Sequence, residues 1–271
     1  MVSGAFLADS CVVADVVPSP NFGERKDGRR PDMIVLHYTG MQDADAALLL
    51  LTSRGSEVSS HYFVFEDGRI VQLVEEGHRA WHAGAAFWAG ETDINSCSIG
   101  IEIANPGHEH GYPDFPKRQI AAVTALCRSI QTRNAIPPVR LLAHSDVSPG
   151  RKQDPGEKFP WHTLHDSGIG HWVKPTPISD GDLLTLGDRG EAVAALQESL
   201  SGYGYSVPMN NYYDSAMHDA VTAFQRHFRP ARVDGAADQS TRATLRDLLA
   251  HRGRVRNMAA RARDFAHLAA S

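Results

Sequence analysis

The sequence predicts an α/β protein with a mixed central β-sheet flanked by helices, followed by a small all-α domain of three helices. Two observations indicate this class. The amino-terminal part contains short apolar runs, which are typical of buried strands, interspersed with segments that have apolar residues at helical spacing. The carboxy-terminal part has helical spacing only, and a stretch containing Pro175, Pro177 and Gly181 separates the two parts.

This change of pattern sets the predicted domain boundaries. A chain of 271 residues accommodates one domain of middle size and one small domain. We assign residues 1–174 to the first domain, residues 175–182 to a linker, and residues 183–250 to a three-helix domain with a core of its own. Residues 251–271 form an arginine-rich tail whose apolar residues also have helical spacing.

Two predicted strands lead directly to a histidine. The apolar run 33–37 ends at His37, and a second apolar run is followed by His144. In a third strand, residues 98–104, three isoleucines alternate with polar or small residues, among them Glu102. Because successive side chains of a strand point to opposite faces, Glu102 is expected to point away from the core layer that the isoleucines face.

Apolar residues three or four positions apart predict the helices. In the first domain these are residues 43–51 and 117–134, and Pro137 stops the second of them. The three helices of the second domain are marked by Val193, Leu196 and Leu200, by Ala220, Val221, Phe224 and Phe228, and by Leu245, Leu248 and Leu249. Three short amphipathic helices suit a compact binding module better than an enzyme.

Composition excludes several classes of protein. A net charge of −5 argues against a broad nucleic-acid-binding face, and no run approaches the length of a membrane-spanning helix. The three cysteines have neither metal-ligand nor disulfide-framework spacing. The amino-terminal segment lacks a basic start, and Asp9 and Asp15 interrupt its apolar run, so it does not match a secretory signal.

Three residues form a candidate metal site. Catalytic zinc sites usually take three protein ligands from His, Asp, Glu and Cys, and they leave a fourth position for water. His37 and His144 lie at strand ends, and Asp154 closes the loop AHSDVSPGRKQDPG. Taken singly, such a histidine is more often a hydrogen-bonded or surface residue than a ligand. The surrounding sequence decides between these interpretations.

Residues 30–165 resemble the zinc-dependent N-acetylmuramoyl-L-alanine amidases of the AmpD and AmiD type. These enzymes are related to phage lysozyme-like amidases and to peptidoglycan recognition proteins. The segments that carry the resemblance are IVLHYTG, SSHYFVFEDGRIVQLV, AWHAG, INSCSIGIEIAN and AHSDVSPGRKQDPG, in the order of the family. The resemblance implies an enzyme that hydrolyses the amide between the lactyl group of N-acetylmuramic acid and L-alanine.

The resemblance also implies roles for individual residues. One Zn²⁺ is expected on each catalytic domain, with His37, His144 and Asp154 as its ligands. Glu102 is expected to be the general base, and Lys152 is expected to stabilise the oxyanion. Trp81 and His82 match a segment that borders the substrate groove, although Trp81 could equally belong to the core. Arg151 is a candidate for binding a peptide carboxylate, with a solvated loop charge as the alternative. In phage relatives a tyrosine assists catalysis where this chain has Ser60, which places the proton transfer on Glu102.

Residues 183–250 resemble a three-helix peptidoglycan-binding domain, although the usual glycine-rich turn is altered to Asp234-Gly235-Ala236-Ala237. The expected partners are peptidoglycan or muropeptides, with no nucleic acid and no integral membrane segment. A wall-binding module favours the cell envelope over the cytoplasm. Two alternatives stay open: a peptidoglycan sensor without catalytic activity, and a zinc peptidase that cuts within the stem peptide.

Overall fold

The computed structural model describes the backbone of residues 6–269 and the side chains of residues 6–254. Eight strands are present in this part of the chain: β1 Asp15–Val16, β2 Phe22–Glu24, β3 Met33–Tyr38, β4 Tyr62–Val64, β5 Ile70–Gln72, β6 His78–Ala80, β7 Ser98–Ile103 and β8 Leu141–Ala143. The α-helices in it are α1 Ala44–Thr52, α2 Ile94–Cys97, α3 Lys117–Asn134, α4 His144–Val147, α5 Trp161–Asp166, α6 Glu191–Tyr203, α7 Ser215–Phe228 and α8 Gln239–Ala269.

The main sheet has six strands in the order β1-β5-β4-β7-β3-β8 and is mixed, as the sequence predicts. Its pairs are parallel except for β4 with β5, and β2 and β6 form a separate antiparallel pair. In the parallel register His37 lies beside Glu102, and Leu36 lies beside Ala143, the last residue before His144. The carboxyl ends of three neighbouring strands therefore bring these three polar side chains to one edge of the sheet.

The sheet separates two apolar layers because strand residues alternate between its faces. On one face, Ile34 and Leu36 of β3 pack with the isoleucines of β7 and with the apolar stripe of α3. On the other face, Met33 and Val35 pack with residues of α6, α7 and α8. The predicted orientation of Glu102 away from the isoleucine layer is therefore confirmed.

The helical domain does not have the separate core that we expected. Its buried residues form one continuous cluster with Met33, Val35, Trp88 and Val147 of the first domain. Helix α8 also continues through residue 250 as far as Ala269, so the backbone of the arginine-rich tail extends the third helix. Helical spacing predicted these helices, but spacing alone does not reveal which surface an apolar stripe covers.

A fully buried carboxylate, Asp146, joins the two domains. It accepts hydrogen bonds from the Tyr205 hydroxyl at 2.6 Å, from His227 Nδ1 at 2.6 Å and from the Ala143 amide at 2.8 Å. The His227 ring also stacks on Trp161, with ring centroids 3.7 Å apart. Since a buried charge is costly unless it is paired, these contacts fasten α7 and the segment that follows α6 to the segment that begins with His144.

Replacing Tyr205 with phenylalanine is expected to lower the free energy of unfolding by about 1–3 kcal/mol, because the buried Asp146 carboxylate then loses a hydrogen bond. Urea unfolding measures the change. Tyr212→Phe is the matched control, since Tyr212 is half-buried and stacks its ring on Arg189. An equal loss in the two variants would contradict a specific role for the bond to Asp146.

Candidate active site

The three residues predicted to bind metal converge in one buried cluster. His37 comes from β3, His144 begins α4, and Asp154 follows in the next loop. The two Nδ1 atoms are 2.9 Å apart, and Asp154 Oδ2 lies 3.2 Å from His37 Nδ1 and 2.9 Å from His144 Nδ1. Their ligand atoms all lie within 4.8 Å of one another.

The hydrogen bonds of this cluster fit a bound cation. His144 Nε2 donates to the Ala83 carbonyl at 3.1 Å, so the Nδ1 of the neutral ring carries no proton. This bare nitrogen faces a carboxylate oxygen, and two acceptors at 2.9 Å repel unless a positive charge lies between them. Two imidazoles and one carboxylate are a donor set that zinc favours.

The pKa values of the cluster agree with metal binding. Burial, reinforced by His144, lowers the pKa of His37 to about 4, so this ring is neutral at pH 7. Burial favours the protonated form of Asp154, yet the neighbouring His144 and His37 hold its pKa well below the ordinary value. Neutral imidazole and ionised carboxylate are the forms that coordinate a metal.

Glu102 lies beside this cluster and has the properties of a proton acceptor. Its side chain lines the same cavity, and within the described residues its buried Oε2 atom has no hydrogen-bond partner. Burial and the negative charge of Asp154 raise its pKa well above the usual value, while Lys152 acts in the opposite direction. A buried carboxylate oxygen left in this state requires a partner from outside the chain, such as water or substrate.

Lys152 and an open cavity complete the site. Lys152 is half-buried in the loop between His144 and Asp154, and it lines a cavity of about 370 Å³. Its lining combines apolar residues, among them the exposed Leu50 and Val58, with charged and polar residues. A cleft lined by both kinds of residue suits a ligand that has both apolar and polar surface.

The three residues predicted to contact substrate occupy different positions. Trp81 is half-buried and lines the cavity, where a ligand can reach it. His82 also lines the cavity, but its Nδ1 lies 3.0 Å from His37 Nε2. Arg151 donates to the carbonyls of Ala83 at 2.6 Å and Ala85 at 2.9 Å. His82 therefore contacts a histidine of the metal cluster directly, and Arg151 shares the Ala83 carbonyl with His144.

His61 is not brought to the cluster. Its Nδ1 accepts a hydrogen bond from the Gly100 amide at 3.0 Å, and its Nε2 lies 3.1 Å from the His78 carbonyl, to which it donates. Both ring nitrogens are thereby used by backbone groups of β7 and β6. This histidine holds β4 against β7.

A group on the rim of the cavity was missed by the sequence analysis. His108 connects the Tyr38 hydroxyl, 3.0 Å from its Nδ1, with Glu157, 3.1 Å from its Nε2, and its ring stacks on Tyr112. These residues come from three separate segments, since only His108 and Tyr112 are close in sequence. No local spacing links the three segments, so only the folded chain shows that the residues form one group.

The sequence of the chain matches two known families. Residues 27–157 match the N-acetylmuramoyl-L-alanine amidase family, and residues 189–245 match the peptidoglycan binding domain family. The amidase AmiD of Escherichia coli is 37% identical over an alignment of 236 positions, and the match covers 81% of this chain and 83% of AmiD. The 1,6-anhydro-N-acetylmuramyl-L-alanine amidase AmpD of the same organism is 33% identical over an alignment of 165 positions, and the match covers 54% of this chain and 86% of AmpD.

Solved structures show the same fold. The complex of E. coli AmiD with the substrate anhydro-N-acetylmuramic acid-L-Ala-D-γ-Glu-L-Lys superimposes with a TM-score of 0.71 at 34% identity, covering 85% of this chain and 98% of AmiD. AmpDh3 of Pseudomonas aeruginosa superimposes with a TM-score of 0.66 at 32% identity, covering 82% of this chain and 92% of AmpDh3. The chain therefore belongs to the N-acetylmuramoyl-L-alanine amidase family.

Proposed function

We propose that this amidase hydrolyses the bond between the lactyl group of N-acetylmuramic acid and L-alanine in peptidoglycan or muropeptides, using one zinc ion. The observation that carries the proposal is the buried cluster of His37, His144 and Asp154 beside the unpartnered carboxylate oxygen of Glu102. The substrate bound to the related AmiD is a muropeptide, which supports this substrate class.

Zinc, Glu102 and Lys152 each have a distinct role in the proposed hydrolysis. When bound, zinc supplies a positive charge that acidifies water and polarises the amide carbonyl. Glu102 accepts a proton from the attacking water and passes it to the L-alanine nitrogen as the carbon–nitrogen bond breaks. The ammonium of Lys152, in the same cavity, offsets the negative charge that develops on the carbonyl oxygen.

The helical domain is proposed to bind polymeric peptidoglycan, which would place the enzyme in the cell envelope. The match of residues 189–245 to a peptidoglycan binding family supports this role. Within the described residues, no helix is long and apolar enough to cross a membrane. We also propose residues 1–174, 175–182 and 183–250 as catalytic domain, linker and binding domain, with the two domains packed as one body.

Removing zinc is expected to abolish hydrolysis, and adding zinc to the metal-free protein is expected to restore it, because the clustered acceptors need a cation. Mass spectrometry of a digested muropeptide provides the readout. Release of the intact stem peptide identifies the amidase, whereas a shortened stem would indicate a peptidase. Full activity in protein shown to be free of metal would contradict the zinc assignment.

Glu102→Gln is expected to lower the turnover number by about a hundred- to ten-thousandfold, because the amide cannot accept the proton. Zinc content should be unchanged, since Glu102 is not one of the three clustered ligands. Glu109→Gln is the control, because Glu109 is an exposed carboxylate on the same cavity. A loss of only a few fold for Glu102→Gln would assign the proton transfer to another group.

A further inference from the structure

The segment Trp81-His82-Ala83 contacts both histidines of the metal cluster. We propose that His82 is a positioning residue, which holds His37 in the one tautomer that presents a bare Nδ1 to the metal, rather than a residue that binds substrate. This inference rests on the proposed zinc site. A chain of hydrogen bonds that starts at β7 sets the order of protons along these side chains.

The chain of hydrogen bonds starts at Ser98. The Ser98 hydroxyl donates its only proton to the Ile94 carbonyl at 2.6 Å, so towards His82 it can only accept. His82 Nε2, 3.1 Å away, must therefore carry the proton of its neutral ring. The other ring nitrogen of His82, Nδ1, is then a bare acceptor.

This acceptor determines the state of His37. His82 Nδ1 lies 3.0 Å from His37 Nε2, which must donate its proton there. The Nδ1 of the neutral His37 ring is therefore bare, and it is the atom that faces His144 and Asp154. Metal-binding histidines usually have their second ring nitrogen fixed by such a hydrogen bond, which sets both the tautomer and the ring orientation.

Gly100 of β7 has no side chain, and the His82 ring occupies the space that a side chain would fill. A Cβ atom on Gly100 would lie 2.5 Å from His82 Cγ, closer than real contacts of this kind. Ser98, Gly100 and Glu102 occupy the same face of β7, because side chains alternate along a strand. One strand face thus supplies the acceptor for His82, the space for its ring, and the proposed general base.

The backbone of the same segment fixes the second histidine ligand. The Asn95 side-chain oxygen accepts from the amides of His82 at 3.1 Å and Ala83 at 2.8 Å. The Ala83 carbonyl in turn accepts from His144 Nε2 at 3.1 Å and from Arg151 at 2.6 Å. Two adjacent residues therefore determine the tautomers of both histidine ligands.

A role for His82 in binding a sugar or peptide requires a free ring nitrogen. Both of its nitrogens are already used, one on Ser98 and one on His37. Trp81, which lines the cavity beside it, has an aromatic face to offer to a ligand. The two neighbours in this segment thus have different roles, and zinc affinity separates them.

The test compares zinc affinity, measured on the full chain by competition with a coloured chelator. His82→Leu, which removes the acceptor, is expected to weaken zinc binding about 10–100-fold. His82→Asn, whose amide oxygen can accept from His37 Nε2, is expected to stay within a few fold of the parent. Trp81→Leu is the matched control and is expected to leave zinc affinity unchanged.

Gly100→Ala provides an independent arm, because it displaces the His82 ring without removing a polar group. It is expected to weaken zinc binding as His82→Leu does. Unchanged zinc affinity in His82→Leu with a raised KM for the muropeptide would overturn the proposal and make His82 a substrate-binding residue. If the parent protein itself bound no zinc, the proposed function would fail instead.

A measurement on the unmodified protein covers the case in which a variant does not fold. Long-range proton–nitrogen NMR spectra of the zinc-free chain report which ring nitrogen of each histidine carries a proton. Protons on Nε2 of both His37 and His82 are expected. A proton on Nδ1 of either ring would contradict the proposed order of hydrogen bonds.

Discussion

The parallel pairing of β3 with β7 on one side and β8 on the other is the constraint on which the site depends. Its register sets His37 beside Glu102 and brings the end of β8, and so His144, to the same edge. If β7 or β8 were shifted by one residue relative to β3, the side chains of the shifted strand would point to the opposite face of the sheet. The burial of Ile34 and Leu36 against α3 therefore also fixes where the polar residues lie.

The first domain was largely predictable from the sequence because its signals are local. Apolar runs ending at His37 and His144, and the alternation around Glu102, are each contained within a few residues. The contacts of His82 were not predictable in this way. Its partners, Ser98 and His37, lie 16 and 45 positions away in the sequence, and a histidine in a motif does not reveal which neighbour takes its protons.

The helical domain shows the same limit at a larger scale. Its helices follow from apolar spacing, and the residues that the spacing indicates in α6 and α7 are all buried. The spacing does not predict which surface these helices cover, because an apolar stripe wide enough to form a three-helix core can also pack on a sheet. Trp88 fills the space left by Gly204, where a Cβ would lie 2.5 Å from the indole. That contact appears only once the two domains are placed together.

The burial of Asp146 has a consequence for how such proteins diversify. Domain boundaries fall in exposed linkers, and insertion of another domain is tolerated at such sites. In this chain, replacing the helical domain at the linker would leave Asp146, two positions from His144, without its partners Tyr205 and His227. A recombinant with a foreign module would inherit an unpaired charge next to its active site, so the two halves are expected to be inherited together.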